Sequence, residues 1–273
     1  MYKNVVALYG VPRSGTSWLG QILDSCPDIA FRYQPLFSYR FKNRISTESN
    51  RKDIECFLEE LYEEDNDDFL NQTDKKQKGI YPIFLEKAKD PPTLAFKEAR
   101  YLYTIPLLLK NDINIKIIGI VRNPYDVLES WINAPSEFNP EWKILDEWQF
   151  ASKKNEYRPE NYYGYNKWKE YIKLNFEMKE RYPDKFITIR YEDLVENAME
   201  ISSGLFSFLG LSFTDQTRKF IEESQSKTID NAYTVYRKKG ASRLRNFYLP
   251  NYIKQQMAQD IKKFKEAKML GYG

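Results

Sequence analysis

The sequence predicts an α/β fold: a single domain over residues 1–273, with a parallel β-sheet flanked by helices. Three observations predict it. Short apolar runs at residues 5–9, 29–33, 93–96, 115–121 and 186–190 have the length and composition of buried strands. Stretches with helical spacing of apolar residues lie between and after them, and strands alternating with helices favour parallel pairing through right-handed crossovers. The first strand also passes into the first helix through a turn bounded by Gly10 and Gly15. A chain of 273 residues can bury one large core, and it shows neither an internal repeat nor a second domain.

In chain order, residues 5–9 form the first strand, and Trp18, Leu19, Ile22 and Leu23 mark one face of the helix that follows. Cys26-Pro27-Asp28 makes a turn, and the strand at 29–33 runs into Gln34-Pro35-Leu36-Phe37. Residues 51–64 read as a helix with Ile54, Phe57, Leu58 and Leu61 on one face. The acidic run 63–68 reads as solvated surface, and residues 71–92 as a surface excursion ending in Pro91-Pro92. The strand at 93–96 delivers Lys97-Glu98-Ala99-Arg100, and a helix over 101–110 ends at Asn111-Asp112. The strand at 115–121 is followed at once by Arg122-Asn123-Pro124, where Pro124 suits a first helical turn. Residues 135–165, rich in Pro, Asn, Tyr and Trp, read equally as part of a substrate pocket or as irregular surface. A helix over 165–181 precedes the strand 186–190 and Tyr191-Glu192-Asp193-Leu194. Helices are expected over 199–208 and 214–223, then a polar loop over 224–246 containing Arg237-Lys238-Lys239-Gly240, then a helix from 250 to about 268.

Lys plus Arg number 42 against 39 for Asp plus Glu, so the net charge of +3 describes no general nucleic-acid surface, and any anion site must be a local cluster. The absence of histidine removes the commonest neutral-pH base and the commonest metal ligand. Cys26 and Cys56 have neither metal-ligand spacing nor a disulfide framework, which fits reduced thiols in the cytoplasm. No apolar run is long enough to span a bilayer, and Met1 leads directly into the first strand, so no cleaved leader is expected.

Gly10-Val11-Pro12-Arg13-Ser14-Gly15-Thr16-Ser17 has the makings of a phosphate cradle. Glycines let the backbone close on an anion, and the helix N-terminus offers free N–H groups and its positive dipole end. The pattern approaches the G-x-x-x-x-G-K-[ST] loop of nucleoside triphosphatases, but Thr16 stands where the lysine belongs and a cation, Arg13, lies inside the loop. The strand at 115–121 ends in Arg122 and not in the aspartate of a Walker-B site. A plain turn ending a strand is the alternative.

The string Pro12-Arg13-Ser14-Gly15-Thr16-Ser17-Trp18-Leu19 resembles the 5′-phosphosulfate loop of sulfotransferases that use 3′-phosphoadenosine-5′-phosphosulfate (PAPS). Arg122, followed eight residues later by Ser130, resembles that family's 3′-phosphate segment. The resemblance, over about residues 5–245, implies a sheet related to nucleotide kinases. It implies Tyr191 near the adenine and Arg237, Lys238 and Gly240 in a loop closing over the 3′-phosphate. Lys97 matches a strand-end lysine of the family, and Lys97-Glu98-Ala99-Arg100 is most similar to its carbohydrate branch.

The implied reaction is sulfuryl transfer from PAPS to a hydroxyl or amine of a small molecule or glycan, releasing PAP, with no metal. Arg13 and Lys97 would meet the charge growing on the leaving phosphate. Gln34 stands where the carbohydrate branch offers a glutamate, and could still orient an acceptor with Phe37 beside it; a plain turn before Pro35 is the other reading. Ala99 stands where small-molecule sulfotransferases carry a histidine base. Glu98 is the nearest carboxylate to the motif, although strand alternation turns it away from Lys97, toward pairing with Arg100. An acidic residue of 135–165, or the acceptor itself, is the rival base. Two other classes remain: a Mg²⁺-dependent phosphotransferase, and a non-catalytic nucleotide-binding relative.

Overall fold

In the computed structural model, residues 2–111, 113–240 and 247–272 are described. Asp112, at the expected end of the 101–110 helix, and residues 241–246, the end of the 224–246 loop, lie outside them. The apolar runs form five strands, β1 (Asn4–Tyr9), β2 (Ile29–Tyr33), β3 (Thr93–Glu98), β4 (Ile115–Val121) and β5 (Phe186–Arg190). They make one parallel sheet in the order β2-β3-β1-β4-β5, with Val5 opposite Leu94 on one side and Ile115 on the other.

Fourteen helices accompany the sheet among the described residues: α1 (Thr16–Asp24), α2 (Arg51–Glu63), α3 (Asp68–Asn71), α4 (Thr73–Gln77), α5 (Ile105–Lys110), α6 (Pro124–Ile132), α7 (Ile144–Glu147), α8 (Ser152–Asn155), α9 (Tyr165–Arg181), α10 (Tyr191–Glu196), α11 (Ala198–Leu209), α12 (Asp215–Ser226), α13 (Asn251–Ile261) and α14 (Lys265–Met269). Because side chains alternate along a strand, the sheet feeds two cores. Val5, Ala7 and Tyr9 pack with Leu58 of α2, Leu108 of α5, Trp131 of α6, Trp168 of α9 and Met257 of α13. Val6 and Leu8 pack on the other face with Leu19 and Ile22 of α1, Leu205 of α11 and Phe220 of α12. The helices after β1 and β4 therefore lie on opposite faces, and the ends of these two neighbouring strands open a crevice. Open α/β sheets bind ligands in such a crevice.

Local chemistry sets several element ends. Asn50 and Asp53 form a reciprocal capping box at the start of α2. Asn123 accepts the Tyr125 N–H, and Pro124 occupies the first turn of α6. Three expectations need correction. The helix expected over 101–110 begins at Ile105; Tyr101 has φ 56° and Leu102–Thr104 is a 3-10 turn. Pro106 explains the late start, because it lacks the N–H that an earlier helix would need. The helix expected over 250–268 is two helices, broken where buried Phe264 turns extended. Residues 71–92 are not merely a surface excursion: α4 and the buried Tyr81 pack toward the crevice. Among the described residues no helix is long and apolar enough to cross a membrane.

Candidate active site

The turn after β1 wraps the N-terminus of α1. Arg13 and Gly15 both take left-handed backbone, φ 74° and 93°. At Gly15 this is a requirement, since a Cβ would also lie 2.4 Å from Cδ2 of Tyr191. Thr16 and Ser17 open α1, where backbone N–H groups have no intrahelical acceptor. The Ser14 hydroxyl is buried with no hydrogen-bond partner.

Lys97, near the end of β3, reaches into this cradle. Its Nζ donates to Thr16 Oγ1 at 3.3 Å and Ser17 Oγ at 3.5 Å, and lies 4.1 Å from the centre of the Tyr33 ring. Burial pushes its pKa down to about 7, against the pull of Glu98 and Glu137. A desolvated ammonium without a tight counter-ion is poised for an anion.

Three arginines converge beside it. Arg122 leaves the end of β4, donates from Nη1 to the Arg13 carbonyl at 2.9 Å, and lies 4.4 Å from the centre of the Tyr191 ring. Its Nε is buried and unpartnered. Arg13 turns its guanidinium to Ser130 Oγ, 3.1 Å from Nε, and to the Ala232 carbonyl, 2.9 Å from Nη2. It thus leans toward the Arg122–Ser130 side. Arg237 joins from the loop after α12 and lines the same cavity, its backbone N–H donating to the Ser224 carbonyl at 2.7 Å.

Burial pulls the pKa of both Arg13 and Arg237 down, and the neighbouring arginines add to the effect. Lys238, Lys239 and Gly240 border the same cavity, and Lys239 Nζ donates to the Glu196 carbonyl at 2.5 Å. Like charges gathered in a buried site, with an orphaned guanidinium N–H among them, fit a ligand with several anionic groups. Trp18 Nε1 donates to Ser224 Oγ at 2.9 Å, and its ring meets Tyr191 edge-on at 6.4 Å, leaving flat apolar surface beside the arginines.

The cradle, Lys97 and the arginines line one cavity of about 620 Å³, and Pro12, Ser130, Gln34 and Phe37 border it too. Gln34 takes left-handed backbone, φ 44°, and Arg100 lies 4.0 Å from the centre of the Phe37 ring. Two predicted residues do not line the cavity. Ser14 is enclosed beneath the loop, and Glu98 faces the opposite side of β3 from Lys97. The Glu98 Oε1 accepts the Leu36 N–H at 2.8 Å, and burial pushes its pKa up to about 8. It forms no ion pair with Arg100, which donates instead to Asn161 Oδ1 at 3.0 Å. A carboxyl that burial holds toward its neutral form, and that does not line the cavity, is poorly placed to take a proton from a ligand there. Glu98→Gln is therefore expected to keep turnover and melting temperature close to wild type. A large loss of kcat with an unchanged melting temperature would return Glu98 to the chemistry.

Sequence reasoning missed three groups at this end of the cavity. Glu137 belongs to the 135–165 stretch flagged as a source of acidic rivals, but nothing local singles it out. Its carboxylate accepts the Tyr163 hydroxyl and pairs with Lys154 Nζ at 3.3 Å. Lys75 of α4 and Tyr81 come from the segment read as surface. The apolar run Ile80-Tyr81-Pro82-Ile83-Phe84-Leu85 inside that polar stretch was the available signal. Among the described residues, no cluster of His, Cys, Asp or Glu is placed to hold a metal ion.

Comparison with known proteins bears on the family and the fold. A profile described as "Sulfotransferase family" matches residues 6–215. Carbohydrate sulfotransferase 3 of Tetronarce californica is 30% identical over 135 residues, which cover 48% of this chain and 30% of that protein. The match thus spans less than a third of that relative's length. Among solved structures, mouse sulfotransferase SULT7A1 complexed with PAP aligns with a TM-score of 0.59 at 17% identity, covering 98% of this chain and 86% of that one. A sulfotransferase from Alicyclobacillus acidocaldarius aligns with a TM-score of 0.53 at 15% identity, covering 99% and 96%. Retinol dehydratase in complex with androsterone and PAP aligns with a TM-score of 0.55 at 15% identity, covering 96% and 81%. At these identities the structural likeness speaks for the fold alone.

Proposed function

This chain belongs to the sulfotransferase family, and on that premise we propose that it transfers a sulfuryl group from PAPS to a hydroxyl or amine of an acceptor, releasing PAP. The observation that carries the reading is the gathering of Lys97, Arg13, Arg122 and Arg237 around the α1 N-terminus, with an unpartnered guanidinium N–H among them. PAPS has an anionic group for each part. The 5′-phosphosulfate lies against the backbone of Gly15, Thr16 and Ser17 and meets Lys97. The 3′-phosphate lies between Arg122, Ser130 and the Arg237–Gly240 loop, and Arg13 bridges the two. The adenine lies by Trp18 and Tyr191.

In the reaction the acceptor oxygen attacks sulfur in line. The bond from sulfur to the bridging oxygen breaks, and the electron pair stays on the 5′-phosphate of PAP. Lys97 and the first-turn N–H groups oppose that growing charge, and their fixed geometry avoids reorganisation. The acceptor proton goes to the Glu137 carboxylate, which the Tyr163 hydroxyl and Lys154 hold in position. Gln34 and Phe37 orient the acceptor. Lys97-Glu98-Ala99-Arg100 and the similarity to a carbohydrate sulfotransferase favour a sugar hydroxyl. The reaction asks for no metal, one domain carries it, and free Cys26 and Cys56 suit the cytoplasm.

The direct test is turnover of labelled PAPS against a panel of sugars, phenols and lipid-linked alcohols. A sulfated product on one class supports the proposal. PAP binding with no transfer across the panel would favour a non-catalytic relative.

The donor assignment has its own test. Arg122→Ala is expected to weaken PAP binding by about 1.5–3 kcal/mol, the scale of hydrogen bonds to a charged group. Affinity for adenosine 5′-phosphosulfate, which lacks the 3′-phosphate, should hardly move. Equal losses for both ligands in calorimetry would remove Arg122 from the 3′-phosphate.

A further inference from the structure

We propose that the acceptor carries its own negative charge, and that Arg100 and Lys75 form the subsite that holds it. The inference rests on the sulfuryl-transfer reading and adds the chemical class of the acceptor. Lys97 and the three arginines at the cradle match the anionic groups of the donor. Arg100 and Lys75 line the same cavity, Arg100 against Phe37 and Lys75 with its Nζ 4.7 Å from the centre of the Tyr33 ring that Lys97 also approaches, at 4.1 Å.

Neither cation forms an ion pair among the described residues, although its neighbours do: Lys76 lies 3.6 Å from Asp24, and Lys154 lies 3.3 Å from Glu137. The Arg100 guanidinium carbon lies 4.0 Å from the centre of the Phe37 ring, and the side chain is anchored by one short bond, from Nη1 to Asn161 Oδ1 at 3.0 Å; its contact with the Tyr163 hydroxyl is long, at 3.5 Å. Its fork is thus anchored, with donors to spare. Lys75 Nζ sits 4.7 Å from the centre of the Tyr33 ring and 4.8 Å from that of Tyr81. The Lys75 carbonyl accepts both the Ile80 and Tyr81 N–H groups, at 2.9 and 3.1 Å, which fixes the short helix that presents the ammonium. Burial disfavours the charge on Lys75, a cost that an anionic ligand would relieve. Glu137, the acid at this end, is already engaged by Lys154 and Tyr163.

This part of the cavity therefore offers two cations and a set of aromatic faces. Such a surface suits a ring that bears a carboxylate or a sulfate ester, because a guanidinium fork fits two oxygens of either group. A neutral sugar or phenol would leave both cations uncompensated.

The test compares three glycosides on protein saturated with PAP: p-nitrophenyl β-D-glucoside, the corresponding glucuronide, and the glucoside 6-sulfate. At least one anionic glycoside is expected to bind ten-fold or more tightly than the neutral one, and which one leads distinguishes carboxylate from sulfate. Arg100→Ala and Lys75→Ala should each shrink that ratio, and Arg100→Lys should keep part of it. PAP affinity measured on every variant reports whether the protein is folded. It also separates the two ideas, since failure of PAP to bind the wild type would strike the donor reading itself. Anionic glycosides that bind no better than the neutral one, undetectable binding included, overturn the proposal. So does a preference that survives in both alanine variants.

Discussion

Lys97→Ala is expected to lower kcat by roughly 10²–10³, the usual cost of removing one preorganised donor at a developing negative charge. PAP affinity should move little. The ammonium already touches the hydroxyls of Thr16 and Ser17 in the cradle, and its proposed partner in the reaction is charge that appears only as the sulfur–oxygen bond breaks. An interaction that strengthens in the transition state shows in kcat more than in binding. The pH dependence follows from the same residue. Burial holds the free protein's Lys97 near 7, so the charged form is lost as pH rises through that value. kcat/KM for PAPS should therefore fall above about pH 7. Bound PAPS favours the ammonium, so the fall in kcat should come at higher pH. A Lys97→Ala protein with near-normal kcat would reduce Lys97 to a buried structural cation.

Glu137→Gln is expected to cost about 10²–10⁴ in kcat, the range for a positioned general base. Glutamine keeps the shape and can still accept from Tyr163, but it cannot take the acceptor proton at neutral pH. The loss should be large for an alkyl or sugar hydroxyl and small for p-nitrophenol, which ionises without help. An equal loss for both acceptors would point to positioning. No loss for either would leave the proton to the acceptor or to solvent.

Much of the fold was legible because the relevant signals are local. The periodicity of residues 165–181 gave α9 its observed ends, and the apolar run 115–121 gave β4 and the exit that carries Arg122. Strand alternation alone separates Lys97 from Glu98. The errors have physical causes as well. Pro106 set the start of α5 against the helical pattern around it, and burial of Phe264 interrupted a stretch that reads as one helix. The part of the cavity proposed for the acceptor was the least legible. Lys75, Arg100 and Glu137 come from α4, the end of β3 and the turn after α6, and only tertiary packing brings them to one cavity. No spacing rule connects them, whereas the cradle from Gly10 to Ser17 is a single contiguous string.

The central claim is that the cavity is built for a nucleotide with a 3′-phosphate and a short 5′-anion. Calorimetric titration of the unmodified protein with PAP, and separately with ATP and Mg²⁺, tests it most directly. PAP is expected to bind and ATP with Mg²⁺ to bind far more weakly, because Thr16 stands where a triphosphate-binding lysine would be and the arginines gather on the Arg122–Ser130 side. Tighter binding of ATP with Mg²⁺, with little or no affinity for PAP, would contradict the sulfuryl-transfer reading and favour a phosphotransferase.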